Sequence, residues 1–505
     1  MSQMPHDPKK NTPGAHPPRT PEERAAAREA ARKARHRRDV RNYIIMFLAA
    51  AVCLGAMLVV PMVMFEKLED AKSLATTAPG STTVPGGTTV PGGSSVPTTP
   101  VGTTAVPTTA APQIYKEGTF TLSATGDMLM HMPVVNAAAT GSGYDFSPVF
   151  TYLQTYIEDA DYAACNLETT LAGTDNGYGY SGYPNFNCPD SLIDGFKGAG
   201  FDMVLTANNH SYDTRTIGLT RTPQIIAEKE LAYLGTQRTA EEPDYKLVTQ
   251  NGITLGLMCY TYEDNIDPNI TAPNGHTMTP ADAPLISAFN YSCLDLFYAE
   301  IQTTLSQMAQ QGADASVLFI HWGDEYQLKQ NAKQSEIAQK LCDLGVDVII
   351  GGHPHVVQPV DLLESTTDPD HKTVCLYSMG NAVSNQRLGN LSNVQTAHTE
   401  DGVLFSVTFA RYSDGTVILE SADLLPTWVM LGTIPATEKW GYTILPLDDD
   451  VTDWKTLFPV SDAMIQKAKA SYDRTMAIVG EGMTEVDTWL VQNVADTEAK
   501  LGVKP

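Results

Sequence analysis

The sequence predicts a layered α/β fold, and three observations predict it. Short apolar runs of strand length recur after Gly118, segments with helical patterning separate them, and polar residues gather where each apolar run stops. "TFTLSATGD" reads as a first strand ending at Asp127. "YAACNLE" reads as a strand ending near Glu168, and "FDMVLTANNH" as one ending near Asn208. "TLGLMCYTY", "SVLFIHWGD", "VDVIIGGHPH" and "VCLYSMGN" follow as further strands. Between them "SLIDGFKGAG", "TPQIIAEKE", "CLDLFYAEIQTTLSQMAQQG" and "SEIAQKLCDLG" read as helices, several closed by a glycine suited to a helix C-terminus. "GVLFSVTFARYSDGTVILESADLLPTWVML" predicts a β-hairpin turning at "SDG". The stretch from "SDAMIQKAKA" to "VADTEAK" predicts two helices packed on the core.

At 505 residues the chain is too long for a single ordinary core. Its net charge of −25 is unevenly spread: residues 1–42 hold 11 Lys/Arg against 5 Asp/Glu, a balance of +6, so the remainder carries −31. So acidic a body disfavours non-specific nucleic-acid binding, which needs clustered basic residues. The seven cysteines include no C-x-x-C pair and suggest neither a disulfide framework nor a zinc knuckle.

"YIIMFLAAAVCLGAMLVVPMVMF", Tyr43 to Phe65, is uncharged and has the length of a bilayer-spanning helix. Arg32, Lys33, Arg35, Arg37, Arg38 and Arg41 precede it, and Glu66, Glu69 and Asp70 follow. This asymmetry predicts a single-pass cell-membrane anchor with a cytoplasmic N-terminus and an extracellular C-terminal domain. A cleaved signal peptide is the competing reading, and the long apolar run and long preceding region favour the anchor. No charge occurs from Ser73 to Tyr115, where "TTVPGGTTVPGG" repeats; this composition reads as an unfolded spacer. The expected organisation is a basic tail (1–42), a transmembrane helix (43–65), a Thr/Pro/Gly-rich linker (66–117), the main domain (118–425) and a helical extension (426–505).

The chemistry lies at the strand ends, where ligands bind in such folds. In "GGHPHVVQPV" the proline biases its neighbour toward extended geometry, so His353 and His355 are expected to project to one side and hold a metal. His321 ends "SVLFIH", with Asp324 and Glu325 just beyond it. In "LTANNHSYD" an asparagine carbonyl can ligate a metal, while His210 is placed to act as an acid or to stabilise a phosphate; a local turn built on Asn208, Asn209 and Asp213 is the alternative. Asp127 and Glu168 supply carboxylates. A carboxylate bridging two cations would complete a dinuclear site suited to Mn, Fe or Zn rather than calcium.

The ordered set GDMLM, NLE, ANNHSYD, HWGDEY, GHPHVVQPV and YSMGN closely resembles the bacterial capsule-synthesis family CapA, the poly-γ-glutamate capsule group. That family is similar to calcineurin-type metallophosphoesterases. The resemblance implies a layered α/β sandwich of that type over about Gly118 to Phe409. It implies Asp127 as the ligand of the first motif, Glu168 as the bridging carboxylate, Asn209 as the third-motif ligand and His210 as the catalytic histidine. His321, His353 and His355 would fill the remaining metal positions. The first motif departs from Asp-x-His, reading Asp127, Met128, Leu129, and His131 is displaced by two residues. Two functions remain open. One is a metal-dependent, phosphoesterase-like hydrolase of capsule or cell-envelope polymer, and the other a polymer-binding, export or tethering module without turnover. Either would work beside membrane-bound polymer synthase or export proteins.

Overall fold

The computed structural model describes residues 113–503 apart from 264, 266, 268–269, 392–394 and 449–453. The predicted span at 43–65, the basic tail and the linker up to residue 112 lie outside the described residues. Among the described residues no helix is long and apolar enough to cross a membrane.

The first sheet is built on β1 (Lys116–Met128), β2 (Tyr162–Leu167), β3 (Met203–Leu205) and β4 (Ala232–Leu234), which lie parallel and side by side. The second takes β5 (Tyr245–Gln250), β6 (Ile253–Glu263), β7 (Ala288–Asn290), β8 (Ala315–His321), β9 (Val348–Gly352), β10 (Val360–Glu364) and β11 (Lys372–Leu376). The chain then returns to the first sheet as β12 (Asn381–Val383), β13 (Asp401–Tyr412), β14 (Val417–Ile434) and β15 (Lys439–Pro446). The first sheet runs β15-β14-β13-β1-β2-β3-β4 and the second β10-β11-β9-β8-β6-β5. Five helices of nine residues or more are described: α1 (Ser191–Ala199), α2 (Arg215–Glu228), α3 (Leu294–Gln310), α4 (Ala332–Asp343) and α5 (Asp462–Leu501).

Side-chain parity shows how the layers stack. Leu122, Ala164, Met203, Leu257, Phe319, Ile350 and Phe405 share one buried cluster, so the two sheets face each other. Their sequence neighbours point the other way. Cys165 and Val204 join α1 in a second cluster, while Leu318 and Ile349 join α3 and α4 in a third. The result is helix, sheet, sheet, helix. Central strands buried on both faces need continuous apolar runs, which is why "SVLFI" and "VDVII" lack alternation. α1 ends at Gly200, whose φ of 96° gives the left-handed turn anticipated from sequence.

Three expectations are corrected. The folded domain begins before Gly118, because Lys116 already pairs with Tyr412. Residues 426–446 form a β-hairpin rather than helix: β14 and β15 pair from Thr427↔Pro446 to Ile434↔Lys439 across a turn at 435–438. The predicted pair of terminal helices is the single 40-residue α5. The "GEG" at 480–482 does not break it, because Gly482 is where α5 presses on β10: a Cβ there would lie 1.8 Å from the Val360 carbonyl oxygen. The predicted hairpin at "SDG" joins β13 to β14. No disulfide occurs among the described cysteines; Cys188 is buried and Cys293 partly so.

Phe319 sits between the sheets with 2% exposure. Phe319→Ala is expected to cost about 3–5 kcal/mol of unfolding free energy, read as a lowered urea midpoint with an unchanged slope.

Candidate metal centre

The strand ends of both sheets converge on one buried cluster, and backbone geometry explains how each side chain reaches it. Along β1 the inward positions are Phe120, Leu122 and Ala124, yet Met128 packs in the outer cluster. The register shift against β2 between Thr125 and Asp127 inverts the parity, so Asp127 turns in between the sheets. On β2, Ala164 faces inward, and two-residue steps carry Asn166 and Glu168 the same way. On β8, Phe319 faces inward and so does His321. On the neighbouring β9 the inward position opposite Asp127 is Gly352, where a Cβ would stand 3.0 Å from Asp127 Oδ1 and 3.4 Å from His321 Nδ1.

The predicted extended geometry of His353-Pro354-His355 is not what forms. His353 and His355 have φ of 94° and 56°, in the left-handed region that non-glycine residues avoid. The chain must reverse at the end of β9 to enter β10, and this turn, not strand alternation, brings the two rings to 5.9 Å between centroids. The strain is held by local bonds: the His353 N–H donates to Asp127 Oδ2 at 3.2 Å, and the Tyr326 N–H donates to the Pro354 carbonyl at 2.8 Å.

Two donor sets emerge, each with its ligand atoms within 4.8 Å of one another. One is Asp127, Glu168 and His355; the other is Glu168, His321 and His353. Glu168 belongs to both. His321 Nε2 lies 3.4 Å and His355 Nε2 3.7 Å from Glu168 Oε1, and His355 Nδ1 lies 3.2 Å from Asp127 Oδ2. Both Glu168 oxygens are buried and accept no hydrogen bond among the described residues. A buried carboxylate without donors is costly, and a cation is what such an oxygen pair fits. These buried His, Asp and Glu groups could hold a metal ion.

Charge is distributed unequally over the imidazoles. Burial alone would depress His355, but the Glu168 and Asp127 carboxylates outweigh it and hold the group up at about 9. Burial together with the neighbouring imidazoles drives His353 well below its ordinary value. Burial would raise the Asp127 carboxyl, but His355, His321 and the Asn166 amide hold it below the usual range.

Asn209 lies against the cluster, its Oδ1 3.0 Å from His321 Nε2. His210 stands beside it with Nδ1 2.8 Å from Asp213 Oδ2. Burial would depress His210; the Asp213 bond and charge, with help from Glu168, raise it above the ordinary value. Glu325 approaches His355 Nε2 at 3.9 Å, whereas Asp324 accepts from Asn331, which caps α4, and lies outside the cluster's contacts. His131 makes its contacts with the Leu129 carbonyl, the Asn385 N–H and the edge of Phe186.

Sequence reasoning thus named the residues that converge; it placed Asn166 and Asn208 at the strand ends and Asn208 and Asp213 in a local turn, but gave none of them the task of holding the ligands. Asn166 donates to Asp127 Oδ1 at 2.8 Å and accepts from Asn208 at 3.1 Å. Asp213 orients His210, and the Tyr262 hydroxyl meets His353 Nε2 at 3.2 Å. Asn381 donates to the His355 carbonyl at 3.2 Å. Asn166, Asn208 and Asn381 all stood in quoted motifs, and that was the available signal. Tyr262, at the end of an apolar strand, carried none.

Fold and cluster define an α/β sandwich protein with a shared-carboxylate, imidazole-rich centre at the strand ends. Residues 121–386 match the family described as bacterial capsule synthesis protein PGA_cap, and the chain belongs to that family. It is 26% identical over 275 residues to the PGA biosynthesis protein CapA of Bacillus subtilis (strain 168), covering 54% of this chain and 65% of the relative. It is 25% identical over 310 residues to the capsule biosynthesis protein CapA of Bacillus anthracis, covering 60% and 67%. The matched segment therefore spans about two thirds of each relative's length.

The Asp127–Asn166–Asn208 chain is testable without metal. Asn166→Ala is expected to destabilise by about 1–3 kcal/mol, with little change between pH 4 and pH 8, where Asp127 is held ionised, as buried partners lose their bonds. Asn166→Asp sets a second carboxylate beside Asp127; like charges raise its folded pKa, so its stability deficit grows as pH rises from about 4. Urea titrations at pH 4 and pH 8 distinguish the two.

Proposed function

We propose that this chain is a membrane-anchored, extracytoplasmic protein of capsule or cell-envelope polymer biosynthesis with a phosphoesterase-like hydrolytic site. The observation that carries the reading is Glu168, a fully buried carboxylate shared by two donor sets, neither of whose oxygens accepts a hydrogen bond among the described residues. The helix–sheet–sheet–helix layering agrees with a calcineurin-like sandwich. The apolar segment 43–65 would anchor the chain, and the spacer would carry the domain away from the bilayer.

In this reading Asp127, Glu168 and His355 hold one divalent cation, and Glu168, His321 and His353 the other, with Asn209 alongside His321. Such cations polarise a phosphoryl oxygen and lower the pKa of bound water. The protein's own residues do the rest. The two sheets exclude water from the cluster. Asp213 fixes His210 through Nδ1, which leaves Nε2 to carry the proton taken up by a leaving oxygen. Neutral His353 offers a lone pair without first losing a proton. The relatives' names point to a capsule polymer as the material handled; a site of this chemistry would act on a phosphate ester carried by that polymer or its precursor.

A second reading, a polymer-binding module without turnover, is favoured by one observation. Where the phosphoesterase motif has a histidine, this chain has Leu129, which is buried at 1% exposure in the core, so one ligand is missing.

The full chain purified in detergent is expected to retain Zn, Mn or Fe by elemental analysis and to hydrolyse a phosphodiester. His210→Ala should lower turnover by about 10²–10⁴-fold while keeping the metal. Metal binding without turnover in the wild type would select the second reading, and absence of metal would reject both uses of the cluster. A separate expectation concerns stability. Metal at 100 times its dissociation constant should stabilise the fold by about 2.7 kcal/mol, and Glu168→Gln should abolish that gain.

A further inference from the structure

The family match ends at residue 386, yet the chain beyond it reaches back to the metal centre. Asp401, at the start of β13, is buried and held by α5. Arg474 Nη2 donates to its Oδ1 at 2.6 Å, Arg474 Nε to its Oδ2 at 2.8 Å and Ser471 Oγ to its Oδ1 at 2.6 Å. Arg474 Nη2 also points at the Ala397 carbonyl, 3.4 Å away. The same helix therefore fixes both ends of the short 398–400 turn. From the far side Arg387 Nη2 pairs with Glu400 Oε2 at 2.6 Å.

That turn touches the centre through one side chain. Asn381 Nδ2 stands within hydrogen-bond distance of three acceptors, the Thr399 carbonyl at 3.0 Å, Gln386 Oε1 at 3.0 Å and the His355 carbonyl at 3.2 Å. Asn381 is also the residue opposite Asp127 in the β1–β12 pairing, and the Asp127 N–H donates to the Gly380 carbonyl at 3.0 Å. A second contact reaches the same loop from its other end. Gly482 of α5 meets the Val360 carbonyl so closely that a Cβ would stand 1.8 Å from it, and Val360 lies five residues past His355.

From these contacts we infer that α5 is a positioning element of the metal centre. Arg474, acting through Asp401 and the 397–401 turn on Asn381, holds the strained His353–His355 loop in its ligating geometry. The physical need is specific. Two non-glycine residues at positive φ are stable only where their surroundings over-determine them. A carbonyl clamp at His355 and a helix pressed on Val360 do that. Arg474 touches no ligand, so its role is indirect; the inference rests on the proposed metal reading only for its effect on metal affinity.

The test compares two variants of α5 in the full chain. Leu490→Ala removes core packing remote from the turn and serves as the control for a general loss of stability. Arg474→Ala is expected to speed amide hydrogen exchange across 353–359 and 397–401. It should also weaken Zn²⁺ affinity, read by chelator competition, by a few-fold, less than the roughly tenfold loss that marks a partner bonded directly to a ligand, because Asp401, the 397–401 turn and Asn381 stand between. Arg474→Lys, which keeps the charge but not the fork, should fall between it and wild type. Should Arg474→Ala not fold, Ser471→Ala carries the same expectation at smaller size. Exchange and affinity in Arg474→Ala no different from Leu490→Ala at matched thermal stability would overturn the inference. If the wild type binds none of Zn²⁺, Mn²⁺ and Fe²⁺, the metal reading fails alone, and the exchange comparison still decides whether α5 holds the loop.

Discussion

The site depends on the Asp127 carboxylate bridging the two sheets. It sits on β1 of the first sheet and receives the His353 N–H from the end of β9 in the second, along with the Asn166 amide from β2. Burial at 0% exposure makes this carboxylate expensive unless its oxygens find donors. The surrounding geometry answers that demand. β1 bulges to aim the side chain inward, β9 places Gly352 opposite to leave room, and the chain strains at His353 and His355 to present an N–H and an imidazole. Removing any one of these leaves a buried charge short of a partner.

The same constraint separates the roles of the two carboxylates. Asp127 accepts one hydrogen bond on each oxygen, which fixes it in place with lone pairs to spare, while Glu168, equally buried, accepts none among the described residues. An oriented acid beside an unsatisfied one is the arrangement expected where the first belongs to one donor set and the second is shared by both. The histidines divide in parallel. His355 is pulled upward by both carboxylates, whereas His353, facing other imidazoles and the Tyr262 hydroxyl, is pushed down.

Much of this was legible in the sequence because strand-end chemistry needs few words: an apolar run that stops at Asp, Glu, Asn or His. β2, β8 and β9 were read with ends within about three residues, and their inward parity follows from counting. What could not be read was whatever long-range contact decides. The bulge at Asp127 comes from β12 taking over from β13 as the neighbour of β1, a pairing between residues more than 250 positions apart. The HPH turn came out reversed rather than extended because β10 must run antiparallel to β11, a tertiary demand that overrides proline's local bias. α5 stayed whole through Gly480 and Gly482 for the same kind of reason, since its packing against Val360 is invisible locally.

Electrostatics sharpens what the centre would do. Everything after residue 42 carries −31, so a polyanion approaching this domain meets repulsion over most of its surface. The centre itself contributes two carboxylates and a His355 that they hold protonated; two divalent cations would displace that proton and leave the centre with a net positive formal charge. The competition is then one of range. Repulsion from dispersed surface charge is screened beyond a Debye length of about 8 Å at physiological salt. Attraction at the centre acts at contact distance in a water-poor rim and is screened much less. Under the proposed reading an anionic chain would therefore be admitted only where the cations lie, one acidic or phosphoryl group at a time, and the acidic body would act to exclude every other mode of binding rather than to oppose the productive one.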